Sequence, residues 1–323
     1  MNIISWFRSI LGKKLELNNS DKKNEVKSQD NSDANVEDLI SKVIYSNIKG
    51  FDKAIIIDTF LEFDISQEYI KCINITFINN SNGCVKPILH QGKLKFNISL
   101  SEKLFKEDDD KQIKLVSTFQ HELFHCKEMI MTSLKIGEET LVNCRSKKDI
   151  KCWYDWVNYL SWYYFSEYYA YYNNCHLYRV HDEFDLKECI IRCDKVLKYM
   201  QSICLSDGKV HVNDILSEPI LRFFIATITH LAYYKATNDI RFIQEFEDTK
   251  NTYTQIYNYF NWIKEYVPLK YFEYPSWINK SGYFEFGEKI ISIFEFYGFK
   301  YFSDNPKENI DGKMYVVFKP LYK

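Results

Sequence analysis

Between Leu115 and Leu134 the chain runs for twenty residues without a glycine or a proline. Leu115, Val116, Phe119, Leu123, Phe124, Met129 and Ile130 recur through it at helical spacing, with Ile113 just before it. That pattern predicts a long helix with a buried face. Inside it stands His121-Glu122-Leu123-Phe124-His125. A helix advances about 100° per residue, so histidines four apart project from one face and can grip a single ion. Glu122 follows the first histidine and points toward the same cleft without having to bind the metal. It is free to take a proton from a zinc-activated water, whose pKa the ion lowers to around 7. The alternative, a surface helix carrying two solvated histidines, fits poorly with a motif set mid-helix in an apolar run.

The rest of the composition narrows the setting. With 323 residues, 46% of them hydrophobic, the chain can bury one large core or two modest ones. The formal net charge is −2, and the longest charge run, Glu107 to Lys111, is acidic. There is no electrostatic footprint for nucleic acid. Nine cysteines, an odd number without a CxxC pair, read as reduced thiols of a cytoplasmic protein. Cys126 follows His125 but is turned about 100° away from it, so it is expected in the core rather than on the metal. No apolar run is long enough for a transmembrane helix.

Arg8 splits the short apolar stretch at the N-terminus, which argues against a secretion signal. Ile3, Ile4, Trp6, Phe7, Ile10 and Leu11 nevertheless line one side of a helix. Residues 1–14 could thus lie on a membrane surface, making the protein peripheral there, or dock on a partner. Residues 13–35 are polar and charged and read as a flexible linker, so residues 1–35 form an N-terminal segment outside the folded part.

Folded structure is expected from Val36, with a first amphipathic helix through Ile48 capped by Gly50. Residues 51–69 are ambiguous between helix and strand. Ile73 to Ile78 and Lys93 to Leu100 read as strands, with Asn80 to Gly83 as turn punctuation between them. The second alternates cleanly, with Leu94, Phe96, Ile98 and Leu100 on one face. Ser101 is placed to cap a short helix, and Asp108, Asp109 or Asp110 to cap the motif helix. Helical patterns dominate beyond residue 150: Trp153 to Arg179, Leu186 to Leu205, Ser217 to Lys235, and Asp239 to Tyr266, the last long enough to hide a break. Met314 to Lys319 closes the chain as a strand. The fold class is α+β: a small sheet with the motif helix in residues 36–185, then a mostly helical region in 186–323 with an aromatic-rich tail.

Zinc needs a third protein ligand. The extended HExxHxxGxxH form is excluded by Glu128 and Met131 at its glycine and third-histidine positions. The best candidate is Glu167, in Phe165-Ser166-Glu167-Tyr168-Tyr169-Ala170, a lone carboxylate on an aromatic helix and costly to bury unless paired or metal-bound. Ala170 is small enough to let two helices approach. Asp155, Glu138, Glu139 and His176 are rivals. Donors for an oxyanion could come from His211, His230 or the many tyrosines.

The HExxH helix after a small sheet, with a Glu-x-x-Ala on a second helix, resembles the zincin metallopeptidases of gluzincin type. Within them the pattern is similar to the ImmA/IrrE branch of phage and mobile-element peptidases. The likeness covers residues 70 to 180 and departs after Ala170. Where thermolysin-type gluzincins have an aspartate four residues after the glutamate, Tyr171 stands here, so a carboxylate to orient a histidine must come from elsewhere. The resemblance implies a zinc metallopeptidase in which His121, His125 and Glu167 hold Zn2+ and Glu122 is the general base. It implies hydrolysis of peptide bonds in a specific protein substrate, bound as an added strand along an edge strand beside the helix, for which Leu94 to Leu100 is the candidate. The alternative is a non-catalytic zincin-fold protein that regulates a partner by contact.

Overall fold

The computed structural model describes residues 38–45, 53–78, 81–105, 109–145, 153–174, 185–206, 209–211, 218–279, 283–302 and 315–320. The expectations for residues 1–35, Gly50, Asp108 and His176 lie outside these residues. The chain divides into a unit of residues 1–39 and one of residues 40–323, and the second holds both sheets and the motif helix.

A four-stranded sheet is formed by β1 (Val43–Tyr45), β2 (Ile70–Thr76), β3 (Gly83–His90) and β4 (Lys93–Ser101), in the order β1-β2-β4-β3. β1 and β2 run parallel, as do β2 and β4, while β3 is antiparallel to β4. β4 confirms the alternation in its sequence: Leu94, Phe96, Ile98 and Leu100 are all essentially buried. It lies inside the sheet, however, pairing with β2 on one side and β3 on the other, and so is not the edge strand for which the resemblance makes it the candidate. That position belongs to β3. Pro87, which lacks an N–H, is at home on an edge strand. The β3–β4 connection is a two-residue hairpin in which Gln91 and Gly92 both have positive φ, the geometry that follows the twist of paired strands.

The first helix expected from Val36 to Ile48 is broken. Residues 38–42 are helical, but Val43, Ile44 and Tyr45 pair with Ile73, Asn74 and Ile75. Two β-branched residues and an aromatic favour the pleat, and the pairing to β2 outweighs the helical periodicity. The ambiguous stretch contains α1 (Lys53–Leu61) and a 3-10 turn at Gln67–Tyr69. Ser101 precedes only a 3-10 turn, Glu102–Leu104, and makes no side-chain cap bond.

The motif helix is α2 (Asp109–Ile136), followed by α3 (Glu138–Cys144) and α4 (Trp153–Asn174). Beyond it lie α5 (Leu186–Ser206), β5 (Lys209–His211), α6 (Glu218–Thr237), α7 (Arg241–Thr249), α8 (Thr254–Glu273), α9 (Phe284–Ile290), α10 (Ile293–Phe296), β6 (Phe299–Phe302) and β7 (Tyr315–Pro320). The break expected between Asp239 and Tyr266 falls at residues 250–253. β5, β7 and β6 form a second sheet of antiparallel pairs, in that order.

α4 is the pivot of the packing. It lies against α2 on one side and against α6 and α9 on others. Its aromatic residues Tyr164, Phe165 and Tyr168 are buried with Phe223, Phe224, Phe246, Tyr259 and Phe260 in one core, where Phe246 and Phe260 stack with ring centroids 3.6 Å apart. The aromatic richness of this half therefore serves packing, each ring removing a large apolar area from water. No described helix is long and apolar enough to cross a membrane.

Candidate metal centre

His121 and His125 stand one turn apart on α2, and Glu167 reaches them from α4. A hydrogen-bonded contact ties these helices together. Ala170 is fully buried, and the Asn174 side-chain amide donates to Ser117 O at 2.9 Å and Ser117 Oγ at 3.1 Å. The three side chains converge: His121 Nε2 and His125 Nε2 are 3.0 Å apart, Glu167 Oε2 is 3.5 Å from His121 Nε2, and Glu167 Oε1 is 3.7 Å from His125 Nε2. All three ligand atoms fit within 4.8 Å of one another. Tetrahedral zinc with bonds of about 2.0–2.1 Å separates its donors by about 3.3 Å, so the set has the spacing and the chemistry of a divalent metal site. His121 and Glu167 side chains keep 15% of their exposure, leaving the cluster open to solvent.

The other sequence candidates fall elsewhere. Among the described residues Glu138, Glu139 and Asp155 are not part of the cluster. Glu138, at the start of α3, accepts the backbone N–H of Leu94 at 2.7 Å and so ties that helix to β4. Cys126 is buried, as expected, and burial pushes its thiol well up, which makes it an inert core residue. His230 Nδ1 lies 2.7 Å from Ala226 O one turn back in α6, and His211 is in β5.

Glu122 is 5% exposed and sits against the edge strand: a Cβ on Gly83 would fall 2.7 Å from its Oε1. Burial raises the Glu122 carboxyl, His121 opposes this, and Glu167 adds to it, for a value of about 8. Burial lowers His125 to about 4, against the pull of Glu167. Burial would raise Glu167, but the hydrogen bond from His121 and the charges of both histidines bring it below the usual carboxylate value. Tyr171, four residues after Glu167, presents its ring to His121 edge-on with centroids 4.7 Å apart.

Behind the cluster lies a buried polar network that the sequence did not reveal. His125 Nδ1 is 2.7 Å from Ser166 Oγ, which donates to Glu128 Oε2 at 3.1 Å. Glu128 is fully buried and also accepts from Arg145 Nη2 at 3.0 and 3.2 Å, from Thr132 Oγ1 at 2.9 Å, from Trp162 Nε1 at 3.3 Å, and from the Tyr283 hydroxyl. The Arg145 guanidinium carbon lies 3.7 Å from the centre of the Trp162 ring, so the charge is sandwiched between carboxylate and indole. Burial alone would raise the Glu128 carboxyl; Arg145 and the hydroxyls of Tyr283 and Thr132 more than offset it and hold the group below its ordinary value. The only sequence signal was a glutamate among Cys126, Met129 and Ile130 on an apolar helix, three residues past a ligand.

Comparison with protein-family profiles, with curated proteins and with solved structures finds no match for this chain.

Proposed function

We propose that this protein is a zinc-dependent endopeptidase that hydrolyses peptide bonds in a specific protein substrate. The observation that carries the proposal is the convergence of Glu167, from a separate helix, on His121 and His125 with the non-liganding carboxylate of Glu122 alongside. A site that only held a metal for stability would have no use for a buried acid at that place.

His121, His125 and Glu167 would hold the ion, which when bound supplies Lewis acidity toward water and a carbonyl and favours the ionised form of Glu122. Glu122 takes the proton of the attacking water and returns it to the leaving amine. Its near-complete burial strengthens each of these charge interactions. β3 supports a peptide substrate: it is the sheet edge beside Glu122, and an extended chain can add to such an edge through backbone hydrogen bonds. An edge strand antiparallel to its neighbour and next to the metal helix also supports a zincin-like assignment of the gluzincin type.

The test is zinc per chain by elemental mass spectrometry for the wild type, Glu167→Ala and His125→Ala, followed by a substrate search using Glu122→Gln as a trap. Close to one zinc in the wild type, lost in both variants, with cleavage abolished in Glu122→Gln, is the expected result. Zinc without cleavage of any captured partner would favour regulation by contact instead, and no zinc in a folded wild type would overturn the proposal.

A further inference from the structure

The buried network behind His125 has a direction. Glu128 Oε2 receives Arg145, Trp162 and Ser166, and its Oε1 receives Arg145, Thr132 and Tyr283. Both carboxylate oxygens are thus surrounded by donors, two of which, guanidinium and indole, have no acceptor capacity. The Arg145 guanidinium, 3.0 Å away in a pair shielded from water, keeps Glu128 ionised. Glu128 is therefore acceptor-only, and the single hydroxyl proton of Ser166 is committed to it.

With its proton spent on Glu128, Ser166 Oγ has only lone pairs left for the ring nitrogen 2.7 Å away. His125 must then carry its hydrogen on Nδ1 and leave a lone pair on Nε2, the atom that faces His121 Nε2 at 3.0 Å and Glu167 at 3.7 Å. The polarity runs Nδ1–H to Ser166, then O–H to Glu128, and it is anchored by Arg145 in a pair whose side chains are 1% and 0% exposed. Histidine ligands generally owe their tautomer and ring orientation to such a partner on the other nitrogen.

We infer that Glu128 is a positioning residue: acting through Ser166, it fixes the tautomer and orientation of His125 so that Nε2 is presented as a metal ligand. This inference deepens the metal-site proposal and rests on it for its purpose, though not for its geometry. It also supplies an orienting carboxylate from the motif helix itself, while Tyr171 on α4 packs its ring edge-on against His121. Tyr274 adds a further tie, its hydroxyl donating to the Glu128 backbone carbonyl at 2.6 Å.

The test uses the full chain with 15N-labelled histidine. In the metal-free wild type, two-dimensional NMR at neutral pH should show His125 as the Nδ1–H form. In Ser166→Ala that preference should be lost, and zinc affinity, measured by competition with a chromogenic chelator, should fall about tenfold to a hundredfold. Ser166→Thr, which keeps a hydroxyl at the same place, should restore the tautomer and most of the affinity. An Nε2–H form in the wild type, or an unchanged tautomer and affinity in folded Ser166→Ala, would overturn the inference. A wild type that shows the Nδ1–H form but binds no zinc would sink the metal-site proposal while leaving the relay standing.

Discussion

Gly83 of the edge strand lies flush against Glu122 of the motif helix. A methyl group at residue 83 would come 2.7 Å from Glu122 Oε1, 2.9 Å from Thr118 Cγ2 and 3.0 Å from Glu122 Cγ. Glycine is needed here for space, since the strand backbone passes where any side chain would displace the acid. Gly83→Ala should therefore move the carboxylate without removing it. Peptide cleavage should drop on the order of tenfold to a hundredfold, because a shift of about 1 Å in a reacting group has effects of that size. Zinc content should stay at the wild-type level, and a loss of zinc in parallel would show that the substitution had disturbed the helix as a whole.

Two groups at the candidate site pull the stability of the metal-free protein in opposite directions as pH changes. Glu122 is raised from 4.5 to about 8, so the folded state binds its proton more tightly and stability falls as pH rises from about 4.5 to about 8. His125 is lowered from 6.5 to about 4, so the unfolded state binds its proton more tightly and stability falls as pH drops from about 6.5 to about 4. In chelated protein, Glu122→Gln should remove the loss on the alkaline side and leave the acid side in place. Melting temperature against pH for the two proteins is the measurement, and parallel curves across pH 6 to 8 would refute the assignment to Glu122.

Much of the candidate site is legible in the sequence because its signals are local or chemically rare. Two histidines at helical spacing, and a carboxylate within the aromatic run Phe165 to Tyr172, put His121, His125 and Glu167 first, with Asp155, Glu138, Glu139 and His176 as rivals for the third place. β4 is legible because four apolar residues alternate without exception. β3 is not: Cys84, Lys86 and Pro87 break the alternation, an edge strand buries little, and Gln91-Gly92 is a weak hairpin signal beside Asn-Gly. The position of β4 within the sheet cannot be read either, since clean alternation describes one face and says nothing about neighbours. The Glu128 network is hidden for a different reason. Its partners lie 17, 38 and 155 residues away, at Arg145, Ser166 and Tyr283, and only the fold brings them to one carboxylate.

That carboxylate makes a second kind of prediction possible. Among the described residues Arg145 is the cation paired with Glu128, and the pair is almost wholly shielded from water. Arg145→Met should cost about 3–5 kcal/mol, since it leaves a buried charge without its counterion. Adding Glu128→Gln should recover part of that loss, because the remaining donors can serve a neutral amide more cheaply than Arg145→Met alone can leave a carboxylate. Urea denaturation of the two single variants and the double gives the coupling, and strict additivity would argue that the pair does not act as a unit.

A packing prediction concerns α4, which positions Glu167. Gly287 of α9 crosses it so closely that an added Cβ would collide with Ser161 Oγ and lie 2.7 Å from Ser161 Cβ and 2.8 Å from Val157 Cγ1. Gly287→Ala gains helix propensity, worth about 1 kcal/mol at most. Overpacking at a buried crossing costs about 1–3 kcal/mol, so the net effect should be destabilising. A lowered melting temperature with normal zinc binding is expected; a raised one would mean that α9 can move away from α4 freely.

Metal removal provides the broadest check, because it reads the cluster as a thermodynamic unit. An ion held by α2 and α4 together binds the folded chain and not the unfolded one, so it stabilises the fold by mass action. At free zinc a hundred times the dissociation constant the gain is about 2.7 kcal/mol, which a thermal melt resolves easily. The wild type should therefore melt lower after chelation and recover when zinc is returned. His125→Ala and Glu167→Ala should melt at a temperature indifferent to zinc, since each removes one of the three donors that converge within 4.8 Å. Ser166→Ala should fall between them, responding to zinc but only at higher concentration, because it keeps all three donors and loses the hydroxyl on His125 Nδ1. A zinc response identical in all four proteins would place the metal somewhere other than His121, His125 and Glu167.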